Sequence, residues 1–372
     1  MRALWSLGFR PFYLLGASYA ALSVALWGLQ WAGVGVGGGR SVAWHGQEML
    51  FGFTIAIVAG FLFTAVRNWT QRPTPTGAAL AALAALWIAG RVLAWTPFAL
   101  AAGIVNALFP LAVAVGIGIP LVQAGNRRNY FFLAVLAAVS LATLRMHLDP
   151  AASLRAGLDL VLFVIAVMAG RVVPMFTNNG VPGAGATRDA RVEKAALGSL
   201  VALLVADLVG APAVVVGGIA MVAALAHGAR LALWKPWRTG GNALVWILHA
   251  SYGWIVLHLA LRVGAAAGFV PTSLADHALT VGGIGGMVLG MITRTALGHT
   301  GRPLHAGRTE IACFVLLQAA AVARVALAPL LPASTYGFAI LAAATCWSAA
   351  FALYVARYWP ILTRPRADGA PG

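Results

Sequence analysis

Long apolar runs follow one another along almost the whole chain, separated by short segments rich in Gly, Pro and Arg. A helix needs about 20 apolar residues to cross the hydrocarbon core of a bilayer. Divided at those breaks, the pattern predicts twelve membrane-spanning helices. They cover residues 11–32, 43–66, 77–95, 98–123, 129–147, 154–174, 192–211, 212–233, 242–265, 275–297, 309–328 and 334–358. Only Ala211-Pro212-Ala213 joins the seventh run to the eighth, which predicts a tight hairpin.

The composition leaves no room for a separate soluble domain. Of the 372 residues, 61% are hydrophobic and only 9% are charged. A soluble protein of this size needs a polar exterior that such a chain does not supply. We therefore predict one all-α integral membrane domain over residues 1–372, surrounded by a lipid bilayer. The first run is long enough to span and no small-residue cleavage site follows it, so we expect no removable signal peptide. Cys313 and Cys346 fall within apolar runs and are interpreted as buried thiols.

The net charge of +16 does not indicate nucleic-acid binding, because the Lys and Arg residues are scattered over short loops instead of forming one basic face. Twelve spans place 19 of the 25 basic residues on the side that carries both termini. The positive-inside rule makes that side cytoplasmic. A miscounted span would mix the two sets, so the asymmetry also supports the count. The other six are Arg40, Arg91, Arg145, Arg155, Arg262 and Arg324.

Ionisable side chains at membrane depth are costly and often mark metal sites, proton relays or ion paths. Along the predicted helices they form a larger group in the outer half and a smaller one near the cytoplasmic face. The outer group comprises His45, Glu48, Arg145, His147, Asp149, Asp159, Asp207, His258, Arg262, Asp276 and His277. The inner group comprises Arg171, His227, His249, Arg294, His299 and His305.

His45 and Glu48 are three residues apart and share one helix face. A metal-binding imidazole usually donates its second N–H to a carboxylate or a carbonyl, so this pair favours a metal or redox site. The alternative is a His/Glu pair that caps the helix start at the interface.

His258 and Arg262 lie on one face of the ninth run, with the arginine nearer the surface by about 6 Å. This arrangement suits a haem, whose iron takes an axial histidine and whose propionates bind a guanidinium. The alternative is a snorkelling arginine beside a histidine bonded to a carbonyl. His249 and Tyr252 share another face of the same helix, which makes a second site possible.

His277 opens the tenth run, which continues with a stripe of Gly282, Gly286 and Gly290. The stripe favours close helix packing over a flat macrocycle lying against backbone. Asp159 and Asp207 either relay protons or bond across helices. No Cys-x-x-Cys-His motif, Walker loop or dinucleotide fingerprint occurs, which argues against covalent c-type haem and nucleotide binding.

Several motifs between the N-terminus and about residue 304 resemble the NnrS family. They are Leu7-Gly8-Phe9-Arg10-Pro11-Phe12, the run from Trp44 to Phe53, Asn68-Trp69-Thr70, Gly90-Arg91, the run from Gly170 to Asn178, His249 with Tyr252, His277-Ala278-Leu279-Thr280, and Gly298-His299-Thr300-Gly301-Arg302-Pro303. The resemblance implies a twelve-helix protein of the bacterial inner membrane that carries haem and copper. It also implies a link to nitric oxide metabolism and to resistance against nitrosative stress.

The chain departs from the family pattern at one position. The first family motif commonly reads His-x-His-Glu-Met, and here Gln47 replaces the second histidine. This change leaves the expected role of His45 intact and puts a copper ligand at position 47 in doubt. A glutamine there could hydrogen-bond a bound diatomic molecule.

The resemblance and the polar residues together predict a haem b protein that binds nitric oxide and reduces or detoxifies it, with an electron donor that the sequence does not identify. We expect His45 and His258 as axial ligands, with His249 as a rival. His147 and His277 are expected to form a second metal site, with copper as its candidate metal. The remaining expected roles are cofactor contacts from Arg262 and Tyr252, and proton delivery by Glu48, Asp159 and Asp207. The alternatives are a proton-coupled secondary transporter and a non-catalytic haem-based nitric oxide sensor.

Overall fold

The computed structural model describes residues 2–34 and 40–370, and within those ranges every regular element is helical. The prediction of an all-α fold is confirmed. The long helices are α1 (Phe9–Trp31), α2 (Val42–Thr70), α3 (Gly77–Leu93), α4 (Ala99–Gln123), α5 (Phe131–Arg145), α6 (Pro150–Gly180), α7 (Ala190–Leu208), α8 (Ala213–Leu233), α9 (Ala243–Ala266), α10 (Thr272–His299), α11 (Arg308–Leu330) and α12 (Ala333–Thr363).

Each predicted apolar run corresponds to one of these helices. In the described part of the chain, nine helices are long and apolar enough to cross a membrane, which agrees with a multi-pass membrane protein. The helices outside that group are α3, α5 and α7. Of these, α3 is apolar but has only 17 residues. The short link between α7 and α8 also forms as predicted.

Helix starts follow ordinary capping chemistry. The Ser41 side chain accepts a hydrogen bond from the backbone N–H of Trp44 at 3.1 Å and begins α2. Asp149 accepts from the N–H of Ala152 at 3.0 Å, with Pro150 in the first turn of α6. Such side chains satisfy backbone donors that have no partner inside the helix. These caps fix where α2 and α6 enter the bundle.

The helices close into a ring in which the last helix packs against the first. Neighbours in sequence pack side by side from α3 through α12, while α2 contacts both α1 and α4. The extensive contact between α12 and α1 completes the circuit. Helices α2 and α10 lie deepest, with 83% and 72% of their most apolar windows buried. Helices that are far apart in the sequence therefore pack against α2 and α10.

Three helices contain a segment of π-helix within the described residues. Glu48–Thr54 lies in α2, Ala278–Gly285 in α10 and Ala323–Leu327 in α11. A π segment has i→i+5 hydrogen bonds and a wider turn, which changes the direction of the side chains that follow it. Such segments often occur at functional sites.

We expect Gly28→Ala to destabilise the protein, because a Cβ at this buried position of α1 would lie 2.7 Å from the Cβ of Ala344 in α12. Overpacking of this kind costs about 1–3 kcal/mol. The thermal midpoint in detergent should fall. Gly218→Ala is the matched control, because no atom lies within 4 Å of its added Cβ. Equal midpoints for both variants would contradict close α1–α12 contact.

Candidate functional site

A cavity of about 260 Å³ lies at one end of the bundle. Helices α2, α6, α10 and α12 begin around this cavity, and α1 and α11 end there. Most of its lining is apolar, with Leu50, Phe53, Ile284 and Trp347 among the contributing side chains. A mostly apolar pocket with a few polar groups is the usual form of a cofactor or ligand site.

Two histidines from different helices reach this cavity. His45 lies in the first turns of α2, and His277 lies near the start of α10. The π segment of α2 begins three residues after His45, and that of α10 begins immediately after His277. The structure thus brings together two imidazoles that are 232 positions apart in the sequence.

The two imidazoles are held in different ways. The His277 Nδ1 lies 2.6 Å from the backbone carbonyl oxygen of Ser273. Since a carbonyl only accepts, Nδ1 donates and the Nε2 lone pair is left unprotonated. The His45 ring instead stacks flat on Trp27, with centroids 4.8 Å apart and an interplanar angle of 2°. No hydrogen bond to the His45 ring occurs in the described part of the chain.

Arg324 is the arginine that lines the cavity. It lies in the π segment of α11, is half-buried, and interacts with the Tyr336 hydroxyl. Among the described residues, no acid forms an ion pair with it. Its charge lies close to both His45 and His277. No role for Arg324 was evident from the sequence, although a lone arginine in an apolar run is the signal that could identify it.

A protein-family model described as "NnrS protein" matches residues 3–366. The chain belongs to the NnrS family. No curated protein matches it. The match includes α11 and α12, where individual motifs gave little likeness, so the helix that carries Arg324 belongs to the NnrS fold.

Glu48 of this NnrS protein is fully buried and does not hydrogen-bond His45. Its carboxylate accepts a hydrogen bond from the Tyr19 hydroxyl and lies 3.1 Å from Arg91 Nε. Arg91 donates in turn to Asn106. The guanidinium fits because Gly52 has no Cβ, which would otherwise lie 1.9 Å from Arg91 Nη1. Glu48 therefore joins α1, α2, α3 and α4.

Arg262, which was expected to contact haem, pairs with two acids in the structure. Its Nη2 lies 2.8 Å from both carboxylate oxygens of Asp207, and its Nη1 lies 3.3 Å from Asp159. His258 is fully buried and is not a lining residue of the cavity. Its Nδ1 lies 2.7 Å from the Ala275 carbonyl oxygen, and its Nε2 has no partner. In the structure, His45 therefore shares the cavity with His277 and not with His258.

Asp276 is the carboxylate that lines the cavity, and no specific role for it was evident from the sequence. It pairs with Arg155 at 2.9 Å. The charge of Arg155 also interacts with Asp159 and Asp207. Three carboxylates and two guanidiniums thus form one group beside the cavity.

The other expected ligands lie elsewhere. His147 is exposed and packs against Gly103 of α4, outside the cavity lining. The His249 Nε2 lies 2.8 Å from Thr177 Oγ1 in the opposite half of the bundle. Tyr252 and His249 have different hydrogen-bond partners. The Tyr252 hydroxyl contacts His227 Nδ1 at 2.6 Å and accepts a hydrogen bond from Arg230 at 2.8 Å.

We expect Arg262→Met to lower the free energy of unfolding by about 3–5 kcal/mol, because it removes the guanidinium that pairs directly with buried Asp159 and largely buried Asp207. The thermal midpoint in detergent measures this loss. The triple variant Arg262→Met/Asp159→Asn/Asp207→Asn should recover most of it. A wild-type midpoint for Arg262→Met alone would mean that these carboxylates do not depend on Arg262.

Proposed function

We propose that this NnrS-family member is a haem b membrane protein that binds nitric oxide and reduces or detoxifies it. In this proposal the cavity holds the haem, with His45 and His277 as ligands to the iron. The observation that supports it is that two imidazoles from different helices share an apolar cavity, and each has a ring nitrogen to which no group among the described residues hydrogen-bonds.

The residues fit the chemistry of haem. Iron in haem b takes imidazole nitrogens, and the hydrogen bond from His277 Nδ1 leaves Nε2 for that purpose. The carboxylates of haem need a cation, and Arg324 has no acid partner among the described residues. Arg262, which the sequence suggested for this task, already holds Asp159 and Asp207. Haem would supply an iron centre that binds diatomic ligands and undergoes one-electron oxidation and reduction.

The chain's own residues determine access to the cavity. Nitric oxide is uncharged and partitions into lipid, so an apolar lining admits it and keeps water out. Val42 lines the cavity and is 68% exposed, which places an opening at the first turn of α2. At this opening a diatomic molecule can pass from the membrane interface to His45.

Proton delivery and copper remain predictions. Glu48, Asp159 and Asp207 all lie outside the cavity lining, whereas Asp276 belongs to it, so we add Asp276 as the carboxylate nearest the proposed chemistry.

For copper, His258 offers a buried Nε2 without a partner, outside the cavity. Its Nδ1 bond to Ala275 fixes the ring in the way that metal-bound histidines require.

We also propose twelve membrane spans with both termini in the cytoplasm of a bacterial cell. The helices α3, α5 and α7 occupy their own places in the ring, between longer helices that can span. This arrangement keeps 19 of the 25 basic residues on the cytoplasmic side. It places the cavity in the outer half of the inner membrane.

Purified protein should show a Soret band and about one haem per cavity. His147→Ala, which changes an exposed histidine outside the cavity, should keep both. The double variant His45→Ala/His277→Ala should insert normally and lose the haem, as measured by absorption and by pyridine haemochrome assay. A wild-type protein without haem, or a double variant that retains it, would refute the cavity as the haem site.

Arg324→Gln should lower the haem midpoint potential, because removing a nearby positive charge favours the ferric form. We expect a shift on the order of 60 mV, a tenfold change in the equilibrium of a one-electron couple. Arg324→Lys should restore most of the potential. Arg145→Gln is the control, since Arg145 is an exposed arginine at the same end of the bundle. The same potential in all four proteins would remove Arg324 from the site.

Nitric oxide consumption by proteoliposomes that contain an electron donor separates turnover from sensing. The proposal expects consumption that depends on the donor and is lost in the His45→Ala/His277→Ala variant. Binding seen by absorption without any consumption would assign the protein to nitric oxide sensing.

A further inference from the structure

The two cavity histidines differ in how the protein supports them. Both line the same cavity, yet His277 has a backbone hydrogen-bond acceptor and His45 has only an aromatic neighbour. We propose that His277 is the permanent haem ligand, and that His45 is the exchangeable ligand that gives up its position to nitric oxide. This inference rests on the proposed haem site.

The support of His277 favours a strong and lasting bond. Its Nδ1 donates to the Ser273 carbonyl, one turn earlier in the same helix, at 2.6 Å. A hydrogen bond of this kind orients the ring and raises the basicity of the other nitrogen, which strengthens a metal bond.

The support of His45 is weaker. No group in the described part of the chain hydrogen-bonds the ring, so neither nitrogen gains basicity from an acceptor. The stack on Trp27 sets the plane of the ring without tying down either nitrogen. Trp27 is thus a positioning residue. It packs edge-to-face on Trp31, with centroids 6.2 Å apart, and Trp31 is 48% exposed.

The location of His45 in α2 also permits exchange. It belongs to the six residues Val42–Gln47 that precede the π segment, next to exposed residues at the helix start. Helix ends open at the lowest free-energy cost in a folded protein. Immediately after residues Val42–Gln47, Glu48 is held by a hydrogen bond from Tyr19 and an ion pair with Arg91. Movement at His45 is therefore confined to the first turns and need not disturb the bundle.

Ligand exchange at this position needs no co-reactant. A His45 ring nitrogen would release the iron, and nitric oxide would bind in its place. No net electron or proton transfer would accompany this exchange. The imidazole stays within reach because the chain holds it, so it can return when nitric oxide leaves.

The single variants test the assignment by haem content and by the absorption spectrum with and without nitric oxide. His45→Ala should keep its haem, change from a six-coordinate to a five-coordinate spectrum, and bind nitric oxide at least tenfold faster. His277→Ala should lose its haem, and imidazole added to the buffer should restore it. The reverse pattern, with haem lost from His45→Ala and kept by His277→Ala, would overturn the assignment and leave the haem cavity standing.

Trp27→Ala tests the positioning role. It should keep its haem and change the nitric oxide association rate by at least threefold, whereas Trp27→Phe, which preserves a stacking ring, should stay near wild type. Trp95→Ala is the control, since Trp95 packs on Trp44 at the same end of the bundle. Equal rates in all of these variants would refute the role of the stack. Retention of haem by both single histidine variants and by the double variant would instead refute the haem site itself.

Discussion

Inside a bilayer no water is present to solvate a charge, so each buried ionisable group depends on a partner from the protein. This constraint organises the structure. Six acids on five helices pair with an arginine from another helix, and each pair joins helices that lipid alone would not hold together. The pairs are Glu48 with Arg91, Asp159 and Asp207 with Arg262, Glu193 with Arg230, Asp276 with Arg155, and Glu310 with Arg357.

The same constraint makes incomplete pairing informative. In the described chain, the cavity contains an arginine without an acid and a histidine without a hydrogen bond. The ion pairs fix the six acids and their arginines in place. An arginine without an acid and an imidazole without a hydrogen bond keep, at a cavity wall, their capacity to bind something else. Arg324 and His45 are therefore better candidates for contact with a ligand than Glu48 or Arg262.

Much of the fold could be predicted from the apolar pattern, because helix length and breaks depend on local sequence. The pairing of side chains could not. His258 and Arg262 have the spacing of a haem site, but Asp159 and Asp207 approach from α6 and α7 and bind the arginine. His45 and His277 were each identified as candidates, yet only the three-dimensional arrangement of α2 and α10 brings them to one cavity. Motif likeness ended near residue 304, and Arg324 lies beyond that point.

The closed ring also bears on how the protein is made. Its cavity takes side chains from α1, α2, α6, α10, α11 and α12. Because α12 leaves the ribosome after the other helices that line this chamber, the chamber does not exist while those helices insert into the bilayer. A molecule that fills the chamber can therefore enter only once α12 has been made. A chain truncated before α12 would be a membrane protein without its chamber.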